Sequence, residues 1–310
     1  MTVPKQLSHT TLTGGLLFGE APRYKDGLLY ISDMTGRTIY TIDTQSGEKK
    51  TLCEVENQPN GMCFVPDGSL IWSSMFDAKL YRRDFTTGKD TLYADLSPVM
   101  TGYCGDMTVD STGRVYVGDT GARVLHGEQP RAGRLLVVEP EGKSVQVAAE
   151  NIMFPNALFI SNDGETIYCA ETFGYGLLRW DIGASGRLCN RQEVWSPVVV
   201  SPSGKVGNTE EHGLVGIDGG CMDAEGGMWL SLLGLDKFVR VDQNGFVTHE
   251  IKAGGHATAC TLGGQDGKSL YLVTNWVPEG ESLFSAMVGK RTKCTISYVR
   301  VDVGKGTSSP

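Results

Sequence analysis

Residues that carry oxygen recur at a near-constant distance ahead of six turn glycines. Eight positions before Gly68, Gly113, Gly164, Gly226 and Gly267 stand Asn60, Gly105, Asn156, Asp218 and Ala259, and seven before Gly27 stands Glu20. Four of the six have a carboxylate or an amide, yet the stretches that follow, such as Met62 to Val65 and Ala157 to Ile160, are mostly apolar. Core packing alone would not select oxygen at these positions. Asp, Glu and Asn oxygens without His or Cys are the ligand set of a hard divalent cation. Ca2+ comes first because it accepts mixed ligands and open positions, with Mg2+, Mn2+ or Zn2+ as alternatives. Taken singly, Asn60 and Asn156, each preceded by proline, read as turn formers, and Glu20 and Asp218 as solvated carboxylates. The shared offset is what makes them a candidate cage.

A second set stands six or seven residues after the glycines: Asp33, Ser74, Asp119, Glu171 and Thr274. Antiparallel pairing places residues equally far from a turn side by side, so these are expected to crown the same face as the cage. Asp119 and Glu171 are then candidates for a base or for substrate contact. His126 and Glu128 lie in one long intervening stretch, and Glu210, Glu211 and His212 in another just ahead of Asp218. Imidazole titrates near neutrality, so either histidine is a candidate proton shuttle.

The elements that must hold these residues are strands. One phrase, a turn with Gly followed by a short Val/Ile/Leu/Tyr/Trp run, occurs six times, as in Lys25-Asp26-Gly27-Leu28-Leu29-Tyr30-Ile31 and Ser111-Thr112-Gly113-Arg114-Val115-Tyr116-Val117. Asp-Gly favours a tight hairpin because both central residues tolerate positive φ. The intervals between the glycines are 41, 45, 51, 62 and 41 residues, the spacing of four-stranded propeller blades. Third strands are expected over 38–43, 79–84, 134–138, 176–181, 237–242 and 295–302. The predicted fold is all-β, a single six-bladed β-propeller over 1–310. Its last unit is short by one strand, which the segment near Leu7 to Leu12 is expected to supply, closing the ring. A β-sandwich or open meander is the competing architecture.

Composition narrows the function. The chain has 310 residues, 40% hydrophobic and 21% charged, with a net charge of -8 and no basic block to line a phosphate backbone, so nucleic acid is excluded as a partner. No apolar run approaches a membrane span, and the first residues lack the apolar stretch of a signal peptide, so a cytoplasmic protein acting on a small molecule, monomeric or a small homo-oligomer, is expected. The eight cysteines form no CxxC pair and read as buried thiols.

Gly19-Glu20-Ala21-Pro22, Gly105-Asp106-Met107-Thr108-Val109-Asp110, Phe154-Pro155-Asn156, Ala170-Glu171-Thr172-Phe173, Asp218-Gly219 and Cys260-Thr261-Leu262-Gly263-Gly264 together resemble the gluconolactonase/regucalcin (senescence marker protein) family, in order along nearly the whole chain. The resemblance implies a six-bladed propeller with one catalytic divalent metal, often a sugar-lactone hydrolase. On matching positions, Glu20, Asn156 and Asp218 are its protein ligands. The family usually has Asn where this chain has Gly105, so one amide is missing and Asp106 or water takes its place. An Arg of regucalcin-like members is matched by Tyr103. Both departures point to a substrate less polar than a sugar lactone.

The function expected from these residues is metal-assisted opening of a cyclic ester, with the cation polarising the carbonyl and activating water. Glu20 and Asp218 are the catalytic candidates, Asp218 doubling as base, with Asn60, Tyr103, Asp106, Asp119, Glu171 and His212 as substrate contacts. No Gly-x-Ser-x-Gly elbow is present. Phosphotriester hydrolysis, strictosidine-synthase-like chemistry, or a non-catalytic binding propeller are the alternatives.

Overall fold

The computed structural model describes residues 3–197 and 216–309. Within them, strands assemble into six radial sheets, the blades of a β-propeller. The inner strands, in chain order, are Gly19–Lys25, Pro59–Phe64, Cys104–Val109, Pro155–Ile160, Gly216–Met222 and His256–Gly263. Blades 1 to 4 each take four consecutive antiparallel strands. Blade 6 takes three from the C-terminal part of the chain, and its outer strand is Thr10–Leu16, paired antiparallel to Lys293–Arg300. The closure expected from strand counting is therefore present, displaced a few residues toward the C-terminus. The segment Lys5–Leu7 instead adds a fifth strand, parallel, to blade 5.

The ring is held by the alternation of side chains along each strand. In Leu29-Tyr30-Ile31 of blade 1, Leu29 and Ile31 enter an apolar cluster shared with Tyr271 and Val273 of blade 6. Tyr30 enters another, with Met62, Leu70 and Trp72 of blade 2. The same partition gives an apolar cluster at the other four blade junctions. Because a blade is covered on both faces, its middle strands are buried on both sides, as in Leu70–Ser74, all five residues of which are buried.

The hairpins differ in detail from a uniform Asp-Gly turn. Asp26 and Gly27 both have positive φ, 50° and 83°, as a two-residue loop of the I′ kind requires. In the other five, the residue before the turn glycine is not left-handed. The Gly68 N–H closes on the Val65 carbonyl at 2.8 Å, and Val65 N–H on Ser69, which makes a longer loop ending in a left-handed glycine. Six cysteines are buried as expected, whereas Cys53 is half-buried and Cys189 exposed. No helix among the described residues is long and apolar enough to cross a membrane.

At the end of the channel where the inner strands finish, the C-terminal tail fastens several blades together. Ser309 pairs with Ile160 of blade 4, Ser308 Oγ donates to the Met222 carbonyl of blade 5 at 2.8 Å, and Thr108 of blade 3 donates to the Ser309 carbonyl at 3.1 Å. Access to the hub is left to the opposite end, where the inner strands begin.

Candidate active site

Each inner strand is interrupted near its start by a register shift in its pairing with the next strand. The shifts fall between Glu20 and Arg23, Pro59 and Met62, Cys104 and Met107, Asn156 and Phe159, Ile217 and Gly220, and Ala257 and Ala259. A bulge kinks a strand and re-aims the side chains around it. Here it turns Glu20, Asn60, Asn156 and Asp218 toward one pocket at the hub, whose lining also includes the backbone of Gly105. Small residues beside the bulges let the strands crowd together. A Cβ on Gly219 would sit 2.7 Å from the Ala259 Cα, and one on Gly61 2.5 Å from the Gly105 carbonyl.

Asp218, 6% exposed, accepts a hydrogen bond from the Asn156 side-chain amide. Glu20 is half-buried and accepts the Ala21 N–H at 3.3 Å. Both carboxyls are held well above the usual carboxylate range. Burial is the first cause for each; repulsion follows, from Asp218 and Asp106 on Glu20 and from Asp106 on Asp218. The nearby cation is committed elsewhere: buried Arg23 pairs with Asp106 at 2.9 Å and donates to the Met107 and Pro22 carbonyls.

These residues fit a hard divalent cation. Two carboxyl groups, Glu20 and Asp218, line one pocket with oxygen from Asn156 and Asn60, and the neighbouring Arg23 is already paired with Asp106. No group of three or more His, Cys, Asp or Glu side chains suited to a metal occurs among the described residues, so the donor set depends on amide oxygen.

The structure thus brings Glu20, Asn60, Asn156 and Asp218 together and adds Tyr103, whose hydroxyl is 2.5 Å from His126 Nδ1. Burial pushes the Tyr103 phenol up to about 12. Three other candidates lie outside the lining. Asp106 points below the floor, where one oxygen takes Arg23 and the Met107 N–H and the other the Leu158 N–H at 3.0 Å. Asp119, fully buried, takes the backbone N–H groups of Thr101, Gly102 and Gly121 together with Arg134. Glu171 takes the Met153 N–H and Arg191. Asp33 does the same for Leu17 and Phe18. The strand-end carboxylates therefore fasten the loop entering their own blade instead of crowning the cage. His212, Glu210 and Glu211 lie outside the described residues.

Above the oxygen floor the pocket is hydrocarbon. Phe18, Met34, Met75 and Leu233 form walls; the short helix Leu283–Val288 and the turn Val124–His126 cover them. Phe154 and Phe173 pack at 4.6 Å between ring centres with their planes tilted by 44°, and Phe284 lies edge-on to Phe173 at 6.5 Å. The cavity left among them is about 70 Å³ and opens to solvent at its mouth. Neither Arg23 nor this cap had a sequence signal: Arg23 is one arginine in a strand, and Leu283–Val288 is too short to show a helical period.

Residues 18–275 match the model of the SMP-30/gluconolactonase/LRE-like region. The chain is 24% identical over 231 residues to lactonase drp35 of Staphylococcus epidermidis, covering 73% of this chain but only 66% of that relative's length. It is 23% identical over 264 residues to regucalcin of Gallus gallus, 83% of this chain and 82% of that one. Among solved structures, the calcium-binding protein regucalcin from Agrobacterium tumefaciens superposes with a TM-score of 0.76 at 20% identity, over 98% of this chain and 99% of that one. With the family model spanning most of its length, the chain belongs to the SMP-30/gluconolactonase/LRE-like family.

Proposed function

We propose that the hub pocket hydrolyses lactones with the help of one divalent cation, Ca2+ first, held by Glu20, Asn156 and Asp218. The observation that carries this reading is the convergence of Glu20, Asn60, Asn156 and Asp218 at the floor of an otherwise apolar pocket, where burial first of all holds both carboxyls above their ordinary range. A divalent cation supplies Lewis-acid polarisation of an ester carbonyl and acidification of water. The chain's own residues do the rest. The Asn156 amide fixes the orientation of the Asp218 carboxylate through its hydrogen bond, and the second Asp218 oxygen, which takes no hydrogen bond among the described residues, can accept a proton from attacking water. Asn60 donates its Nδ2 to the Cys104 carbonyl at 3.2 Å, which turns its Oδ1 toward acceptor duty in the pocket. The Tyr103 hydroxyl is kept protonated by burial and can meet the ring oxygen or carbonyl of a bound ester. Helix Leu283–Val288 and the phenylalanines narrow the access of water to the floor, which strengthens the charge interactions there. Family membership and the names of the lactonase and calcium-binding relatives support the same reading.

The test is lactone opening followed by pH-stat on purified protein, with Ca2+ and after chelation. Glu20→Gln and Asp218→Asn are expected to lose at least 100-fold in kcat/KM. Unchanged turnover by either variant in chelator overturns the proposal.

A further inference from the structure

We propose that the ester this pocket takes is an alkyl-substituted lactone, its ring on the oxygen floor and its hydrocarbon chain between Met34, Met75, Leu233 and the Leu283–Val288 helix. The inference rests on the lactone reading above and names the substrate class within it. Its basis is where hydrogen-bonding capacity is already used. Of the two wall hydroxyls, that of Thr120 receives the Tyr103 N–H at 2.8 Å and donates to the Ala122 carbonyl at 3.1 Å. That of Thr172 donates to the Ile217 carbonyl at 2.8 Å. The Asn60 amide nitrogen is taken by Cys104, and the Asn156 nitrogen by Asp218. Among the described residues, the Tyr103 hydroxyl is then the remaining polar handle above the floor, and His126 already shares it.

A polyhydroxylated ring entering this space would lose water from several hydroxyls without gaining partners, at a cost of about 5- to 150-fold in affinity for each one left unpaired. A hydrocarbon chain meets the opposite situation. Methionine side chains are unbranched and flexible, so Met34, Met75 and Met287 can adjust around a chain of variable length, and Phe284 closes over it against Phe173. Gly105 removes a side chain from the floor beside Asn60 and Asn156, which widens the seat for the ring.

The experiment measures kcat/KM, with Ca2+ present, for γ-butyrolactone, its γ-butyl and γ-hexyl homologues, and glucono-δ-lactone. In parallel, calorimetry follows binding of 2-hexylcyclopentanone, which keeps ring and chain but has no ester. The expected result is a rise of about 4-fold per methylene, with gluconolactone below unsubstituted γ-butyrolactone. Ketone binding should carry a negative heat-capacity change. Phe284→Ala and Met287→Ser should flatten the dependence on chain length in KM more than in kcat. Gluconolactone turned over faster than the γ-hexyl lactone overturns this inference and leaves the lactone reading standing. Chain-dependent ketone binding without turnover of any lactone overturns the lactone reading and supports the hydrocarbon pocket. Absence of both turnover and ketone binding overturns both.

Discussion

Replacing Asp218 with Asn exchanges one oxygen for NH2 and deletes one of the two carboxyls that line the hub pocket, so it acts oppositely on the metal-free and metal-bound protein. A ligand that binds only the folded state stabilises it by RT ln(1 + [L]/Kd), which adds about 1.4 kcal/mol for every tenfold of Ca2+ above Kd. With 310 residues and an unfolding entropy of about 2.1 cal/mol/K per residue, 1 kcal/mol corresponds to about 1.5 °C. Chelated wild-type protein should therefore gain about 2 °C in Tm per tenfold of Ca2+, reaching about 6 °C at a thousandfold excess over Kd. Asp218→Asn and Glu20→Gln should have nearly flat Ca2+ responses. Both should also melt above wild type in chelator, because each removes a carboxyl that burial and its neighbours make costly to ionise. Differential scanning calorimetry over a Ca2+ series reads all of this at once. Variants that follow the wild-type slope, or a wild type with no slope, would refute the assignment of these two residues to a cation.

Three further outcomes follow from the same geometry. Since the Glu20 and Asp218 carboxyls are held above their unfolded values, their penalty is absent below the ordinary carboxylate range, near pH 4, and grows as pH rises through their folded values. The stability advantage of metal-free Asp218→Asn over metal-free wild type should thus widen from pH 5 to pH 8, as measured by urea denaturation. Asp119→Ala removes a fully buried carboxylate that holds three backbone N–H groups and Arg134, and should cost about 3–5 kcal/mol of stability by the same measurement. A KM change in the surviving folded protein would instead mark Asp119 as a substrate contact. Gly105→Asn restores an amide to the floor; its Cβ would meet the Pro155 carbonyl at 3.3 Å and Gly118 at 3.4 Å, a contact that needs only a small adjustment. It is expected to lower the Kd for Ca2+ several-fold, read by isothermal titration, and an unchanged Kd would place that amide outside the ligand set.

The propeller was legible in the sequence because a blade is a local object: its turns, strand alternation and length all fall within about 45 residues, and six repetitions of one phrase leave few other ways to bury the strands. The positions of Glu20, Asn60, Asn156 and Asp218 were legible for the same reason, since a constant offset from a turn becomes a constant height along the hub. What the offset left open was direction. Asp106 stands next to Gly105 and Asp119 sits level with the cage, yet one is drawn under the floor by Arg23 from another blade and the other outward by the N–H groups of its own loop. Those choices rest on partners up to 83 residues away in the chain. The apolar character of the pocket was likewise decided by assembly: Phe284 and Met287 meet Met34, Met75 and Leu233 only once the ring closes, and the burial that lifts the Glu20 and Asp218 carboxyls exists only when six strands shut out water. Sequence set which atoms arrive at the hub, and the closed ring set which way they face and what surrounds them, because desolvation and long-range pairing belong to the packed state.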